Sequence, residues 1–178
     1  MTNAAITRSG QTSAPQGTEQ AHILIVLVND RPGAVDRVVG LLRRRRANMQ
    51  TLVLGQSNKP EVVRITIGVD DSHVGVDQLV EQLRKIIDVV QVTNLSAKEA
   101  IKRELALIKV NTSGFQLQEI FTYAQQFDAH IVDVTAETAT LEILGSGEKI
   151  EMLLKHLGSY GIREIARSGC IAMARGEL

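Results

Sequence analysis

The residues best placed to do chemistry lie between Val28 and Val35. There an aliphatic run gives way to Asn29-Asp30-Arg31-Pro32-Gly33 and then to apolar residues at helical spacing. At the mouth of a helix, the backbone N–H groups of Gly33, Ala34 and Val35 have no carbonyl partner within the helix, and the helix dipole adds positive potential. A carboxylate can be held on such amides. Gly33 lacks a Cβ, so a ligand can approach its backbone closely. Asp30, just ahead of the turn, can accept a hydrogen bond from an ammonium group. Together these groups suit a free α-amino acid, which carries both charges. The same residues also fit a plainer use, with Pro32-Gly33 as a helix start and Asp30 as its cap.

The other reactive side chains form no constellation. His22, His73, His130 and His156 are scattered, with no i,i+4 pair and no adjoining Cys or Glu motif for a metal. The single cysteine, Cys170, excludes an intrachain disulfide and sits in an apolar strand pattern, where it acts as a small hydrophobe. Gly145-Ser146-Gly147 precedes a helix but lacks the Gly-Lys-Ser/Thr ending of a phosphate loop, so Ser146 is expected to be a plain N-cap. Arg43–Arg46 falls at a helix end, where cations complement the dipole. The expectation is a non-catalytic chain that holds neither metal nor cofactor.

The elements that position these residues follow from periodicity. Ile23–Val28 is a continuous apolar run, the pattern of a strand buried on both faces. Pro32 stands where a helix begins, and Val35, Val38, Val39 and Leu42 form its stripe. Met49–Leu54 and Val62–Val69 read as strands about a turn at Ser57–Pro60. Val76, Leu79, Val80, Leu83, Ile86 and Ile87 mark a helix, and Val89–Val92 a fourth strand. The pattern then repeats. Leu105–Val110 is a strand, Ser113 with Gln116 a capping box, and Leu117, Ile120, Phe121, Ala124 and Phe127 a helical stripe. Ile131–Val134 and Thr140–Leu144 are strands, Ile150, Leu153, Leu154 and Leu157 a helix face, and Ile162–Ala166 and Ile171–Ala174 closing strands. The charged stretch Ser96–Arg103 reads as a short helical linker. The fold class is therefore α+β, two ferredoxin-like βαββαβ units in tandem. The expected boundaries are a flexible tail over 1–20, a first domain over 21–95, a linker over 96–104 and a second domain over 105–178.

Composition narrows the function. Hydrophobic residues make up 44% of the 178 and aromatics 3%, so the core rests on Val, Ile and Leu and offers few base-stacking platforms. Lys plus Arg and Asp plus Glu each total 20, leaving no net field towards nucleic acid or an anionic membrane. No apolar run approaches the roughly 18–20 residues of a membrane span. The first 20 residues carry no hydrophobic block of a secretory kind. A soluble cytoplasmic protein is expected.

The stretch from Asn29 to Arg45, followed by Asn48-Met49-Gln50-Thr51-Leu52, resembles the small subunit of acetohydroxyacid synthase (acetolactate synthase). Ile131–Thr135 and Glu164–Gly169 resemble the second domain of that family. The resemblance implies an N-terminal ACT domain, a βαββαβ module that binds amino acids. It implies a homodimer and a catalytic large subunit that uses thiamine diphosphate, magnesium and FAD. It further implies activation of that subunit and feedback inhibition by valine or another branched-chain amino acid. The ligand would lie between two ACT domains, held by Asp30, Gly33, Ala34 and Val35 of one chain and Asn48 of the other. Met49 and Leu52 are candidates for the apolar wall, though ordinary strand core explains them equally. Family members usually carry Gly and an aromatic before the Asn, where this chain has Arg46 and Ala47. Arg46 would adopt a left-handed backbone at some cost. Two rivals stay open: an ACT module serving a different enzyme, and a small enzyme with an unrecognised site.

Overall fold

The computed structural model describes residues 22–70, 75–95, 100–112 and 116–176. The first unit comprises β1 (His22–Asn29), α1 (Ala34–Arg44), β2 (Met49–Gln56), β3 (Val62–Val69), α2 (Val76–Arg84) and β4 (Val89–Leu95). The second comprises β5 (Ala100–Asn111), α3 (Gln116–Gln126), β6 (Ala129–Val134), β7 (Thr138–Gly145), α4 (Gly147–Leu157), β8 (Ile162–Arg167) and β9 (Ile171–Ala174). Their antiparallel sheets run β2-β3-β1-β4 and β6-β7-β5-β8, with β9 paired to the start of β5. This is the expected tandem βαββαβ arrangement, extra strand included. The 1–20 tail, His73 and Ser113 of the expected capping box lie outside the described residues.

Each sheet buries one face under its two helices. Leu24, Val26 and Val28 of β1 and Ile65, Ile67 and Val69 of β3 pack against Val38, Leu42, Leu79 and Leu83. In the second unit Ala106, Ile108 and Val110 of β5 and Leu141 and Ile143 of β7 meet Ile120, Ile150, Leu153 and Leu157. Ser146 caps α4, its hydroxyl accepting from the Lys149 N–H at 3.3 Å.

The two-sided burial of β1 has a specific cause. Ile23 and Ile25, on the face away from the helices, pack with Leu95, Ala100 and Ala172. The β5–β9 ribbon thus covers the outer face of the first sheet. Arg64 Nη2 also donates to the Ala172 carbonyl at 2.7 Å.

That ribbon corrects the helical linker. Residues 96–99 lie outside the described residues, but Ala100–Arg103 are the first residues of β5. Ala100 and Glu104 are buried while Ile101 and Arg103 are exposed, the alternation of a strand. Pairing with β9 overrides the local helical character of a charged stretch. Three smaller expectations also shift. α2 ends at Arg84, and Ile87 beyond it is 89% exposed. Phe121 is 44% exposed rather than part of the α3 stripe. Pro32 precedes the N-cap, Gly33, instead of opening the helix.

Candidate functional site

Arg31-Pro32-Gly33-Ala34 forms a turn. Pro32 presets the first central position, Gly33 takes φ 82° and ψ −3°, and the Ala34 N–H donates to the Arg31 carbonyl at 3.1 Å. These are the dihedrals and hydrogen bond of a type II turn, whose third residue needs positive φ and so favours glycine. The expected set of open amides is therefore corrected by one. Ala34 is tied to the turn and its side chain is buried, whereas the N–H groups of Gly33, Val35 and Asp36 meet no acceptor among the described residues. Asp30 anchors the loop through its own N–H, which donates to the Glu61 carbonyl at 2.8 Å, and its carboxylate stays exposed.

A residue missed from the sequence completes the mouth. The Arg37 guanidinium lies over Gly33, with Nη1 3.3 Å from where a Cβ on that glycine would stand. Its Nε donates to the Asp88 carboxylate at 2.6 Å. Asp88 is buried, and its carbonyl accepts the Asn29 N–H at 2.9 Å. Thus one acidic residue fixes both the loop and the cation over it. The only sequence signal was a basic residue one helical turn beyond Gly33.

Asn48 and Met49 are not part of that mouth. Met49 pairs with Val69, and Val69 with His22, at the opposite end of the sheet from Asn29. A strand of eight residues puts about 25 Å between the two ends. Asn48 is exposed, and its amide hydrogen-bonds the Asp70 carboxylate. The structure thus brings Asp30, Gly33, Val35 and Arg37 together and leaves Asn48 and Met49 apart within one chain.

Comparison with known proteins settles the family. Residues 24–91 match the AHAS small subunit-like ACT domain, and residues 103–176 match the small subunit of acetolactate synthase. The acetolactate synthase small subunit of Mycolicibacterium smegmatis is 40% identical over 155 residues, 87% of this chain and 91% of that protein. The probable acetolactate synthase small subunit of Methanothermobacter thermautotrophicus is 39% identical over 157 residues, 88% of this chain and 94% of its own. The crystal structure of the acetolactate synthase small subunit from Thermotoga maritima superposes with a TM-score of 0.81 at 34% identity, covering 89% of this chain and 99% of that one. The chain belongs to the acetolactate synthase small subunit family. A small subunit implies a large, catalytic partner.

In this small subunit, α1 ends in a Schellman motif. The Ala47 N–H reaches the Leu42 carbonyl and the Arg46 N–H the Arg43 carbonyl, both at 3.1 Å, with Arg46 at φ 53°. The left-handed arginine expected beside Asn48 is therefore present. Arg45 Nη2 also donates to Gln82 Oε1 at 3.0 Å, so part of the arginine run braces α1 on α2. Burial pushes the half-buried Cys170 thiol above its ordinary range, in keeping with a hydrophobe rather than a nucleophile. No group of three or more His, Cys, Asp or Glu among the described residues could hold a metal ion. No helix among them is long and apolar enough to cross a membrane.

Proposed function

We propose that this chain is a non-catalytic regulatory subunit that activates its synthase partner and makes it sensitive to valine or a related branched-chain amino acid. In this reading thiamine diphosphate, magnesium and FAD belong to the catalytic subunit. The observation that carries it is the mouth of α1. Two open amides, on Gly33 and Val35, and the Arg37 guanidinium offer a carboxylate three donors, and the Asp30 carboxylate stands ready for an ammonium group.

A homodimer completes the site. β2 is an edge strand, and Met49, Leu52 and Leu54 are each at least 36% exposed. An apolar edge left open invites another strand. Antiparallel pairing of two β2 edges about a two-fold axis reverses the sheet ends, bringing Asn48 and Met49 of a second copy towards the Asp30–Val35 end. Asn48 then supplies an amide, and Met49 an apolar contact for an aliphatic side chain.

The catalytic subunit is assigned to another surface, the face of β5, β7 and β9 that no described element covers. Ile101, Leu107, Leu144, Ile171 and Met173 are all exposed there. An apolar patch of this kind marks an interaction site.

Reconstitution tests the reading. The chain is added to the acetolactate synthase catalytic subunit from the same source, and valine, leucine and isoleucine are titrated. Activation with dose-dependent inhibition by one of them is expected. Failure to associate with the catalytic subunit contradicts the reading. So does pyruvate turnover by the isolated chain.

A further inference from the structure

The second strand opens at Met49, directly after Asn48, and also carries a close contact between the two domains. Thr51 lies two residues beyond Met49, and the pairing with β3 shifts between them. Its side chain is clamped by two glycines. A Cβ on Gly68, its cross-strand neighbour, would stand 2.6 Å from Thr51 Cγ2. A Cβ on Gly169 would stand 2.6 Å from Thr51 Oγ1 and 2.8 Å from Val53 Cγ2. Those distances are too short for any side chain, so both positions admit only glycine without rearrangement. The hydroxyl does more than fill space, since it accepts the Cys170 N–H at 3.1 Å.

The other side of this contact is fixed firmly to the second domain. Ser168 donates its N–H to the Leu105 carbonyl at 2.9 Å, and its hydroxyl accepts the Leu105 N–H at 3.0 Å. The preceding Arg167 pairs with Glu104 through both Nε and Nη2 and reaches Glu151 on α4 with Nη1 at 2.6 Å. Gly169, at φ 77°, turns the chain from β8 into β9 at this point. Thr51 therefore bears on a segment that these hydrogen bonds tie to the second domain, and the pairing of β2 with β3 is irregular just beside it.

We propose that Thr51 is the positioning residue through which ligand at Asn48 and Met49 reaches the second domain, by way of Gly169 and Cys170. This rests on the amino-acid site proposed above. Allosteric effect then requires that β2 sit differently against Gly169 with and without ligand.

Cys170, the sole cysteine in the sequence, reports on the contact directly. The experiment follows its reaction with Ellman's reagent in the full chain, with and without saturating valine. Valine affinity is measured by calorimetry, and valine inhibition in the reconstituted synthase. In the unsubstituted chain and in Thr51→Ser, which keeps the hydroxyl, valine is expected to change the Cys170 rate by about fivefold or more, the lower end of typical coupling. Thr51→Val keeps the branched shape and loses the acceptor. It is expected to bind valine as the unsubstituted chain does, while its Cys170 rate no longer responds and its inhibition is largely lost. A Thr51→Val chain that is inhibited as fully as the original overturns the proposal. So does one that no longer binds valine, because Thr51 then belongs to the site or to folding. If the unsubstituted chain binds no branched-chain amino acid, the site reading itself fails, and the coupling with it.

Discussion

Replacing Gly33 with aspartate tests the mouth of α1 most directly. The new Cβ would stand 3.3 Å from Arg37 Nη1, so its carboxylate reaches the guanidinium and would occupy the place proposed for the ligand's own. Two amide bonds to a charged carboxylate, at about 1.5–3 kcal/mol each, amount to about 3–6 kcal/mol. At about 1.4 kcal/mol per tenfold, valine affinity should fall at least about 100-fold. The fold should tolerate the change. Gly33 sits at φ 82°, a conformation in which aspartate is among the less unfavourable replacements, at about 1 kcal/mol. For a chain of this size that corresponds to about 2–4 °C in Tm. Calorimetry on the variant, with a thermal melt as control, separates the two effects. Gly33→Ala supplies the same backbone strain without the charge and should lose much less affinity. If Gly33→Asp bound valine within about threefold of the original, the assigned contacts would be worth under 1 kcal/mol and the reasoning would fail.

Other substitutions probe the remaining parts. Asn48→Ala removes one polar contact and should weaken valine about tenfold by calorimetry while leaving the melting temperature nearly unchanged, since Asn48 is exposed. Arg46→Gly relieves the left-handed strain at the end of α1 and should raise stability by about 0.5–1 kcal/mol in urea unfolding; a decrease would mean the arginine side chain contributes more than its backbone costs. Burial raises the Cys170 thiol, so the folded chain should label more slowly than the urea-unfolded chain at pH 8. The folded state favours the protonated thiol. Its contribution to stability is therefore complete below the unfolded thiol's pKa and declines as pH rises above it. That decline, followed by melting between pH 7 and 9.5, should disappear in Cys170→Ala.

The fold was legible where local pattern and final packing agree. The six-residue apolar run in β1 demanded cover on both faces, and it has it: helices on one side, the β5–β9 ribbon on the other. What hid the ribbon was its charge. Lys102, Arg103 and Glu104 look like a solvated helix, yet Glu104 is buried because Arg167, sixty-three positions away, neutralises it. No local window contains that information. The site was legible in the same uneven way. Pro32-Gly33 announced a turn into a helix, and the turn has the geometry those residues prefer. Which amides remain open depended on a hydrogen bond from Ala34 back to Arg31, and the cation over Gly33 on a carboxylate from the loop before β4. Both are tertiary facts.

One strand concentrates these dependencies. Among the described residues β2 has no partner on its outer edge, and Leu52 and Leu54, whose partners Ile67 and Ile65 are wholly buried, are more than a third exposed. On its opposite face Thr51 and Val53 are held by Gly169. A strand with a free edge, a half-covered apolar face and a rigid contact behind it is costly in a solitary domain, because exposed apolar edges invite indiscriminate pairing. The cost is intelligible if the edge meets a second copy of the chain. Dimer formation would then cover Leu52 and Leu54, bring Asn48 to the mouth of α1, and place the proposed ligand against the same strand that touches the second domain. Sensing and response would share one element, so that neither long-range rearrangement nor a separate hinge is needed to connect them.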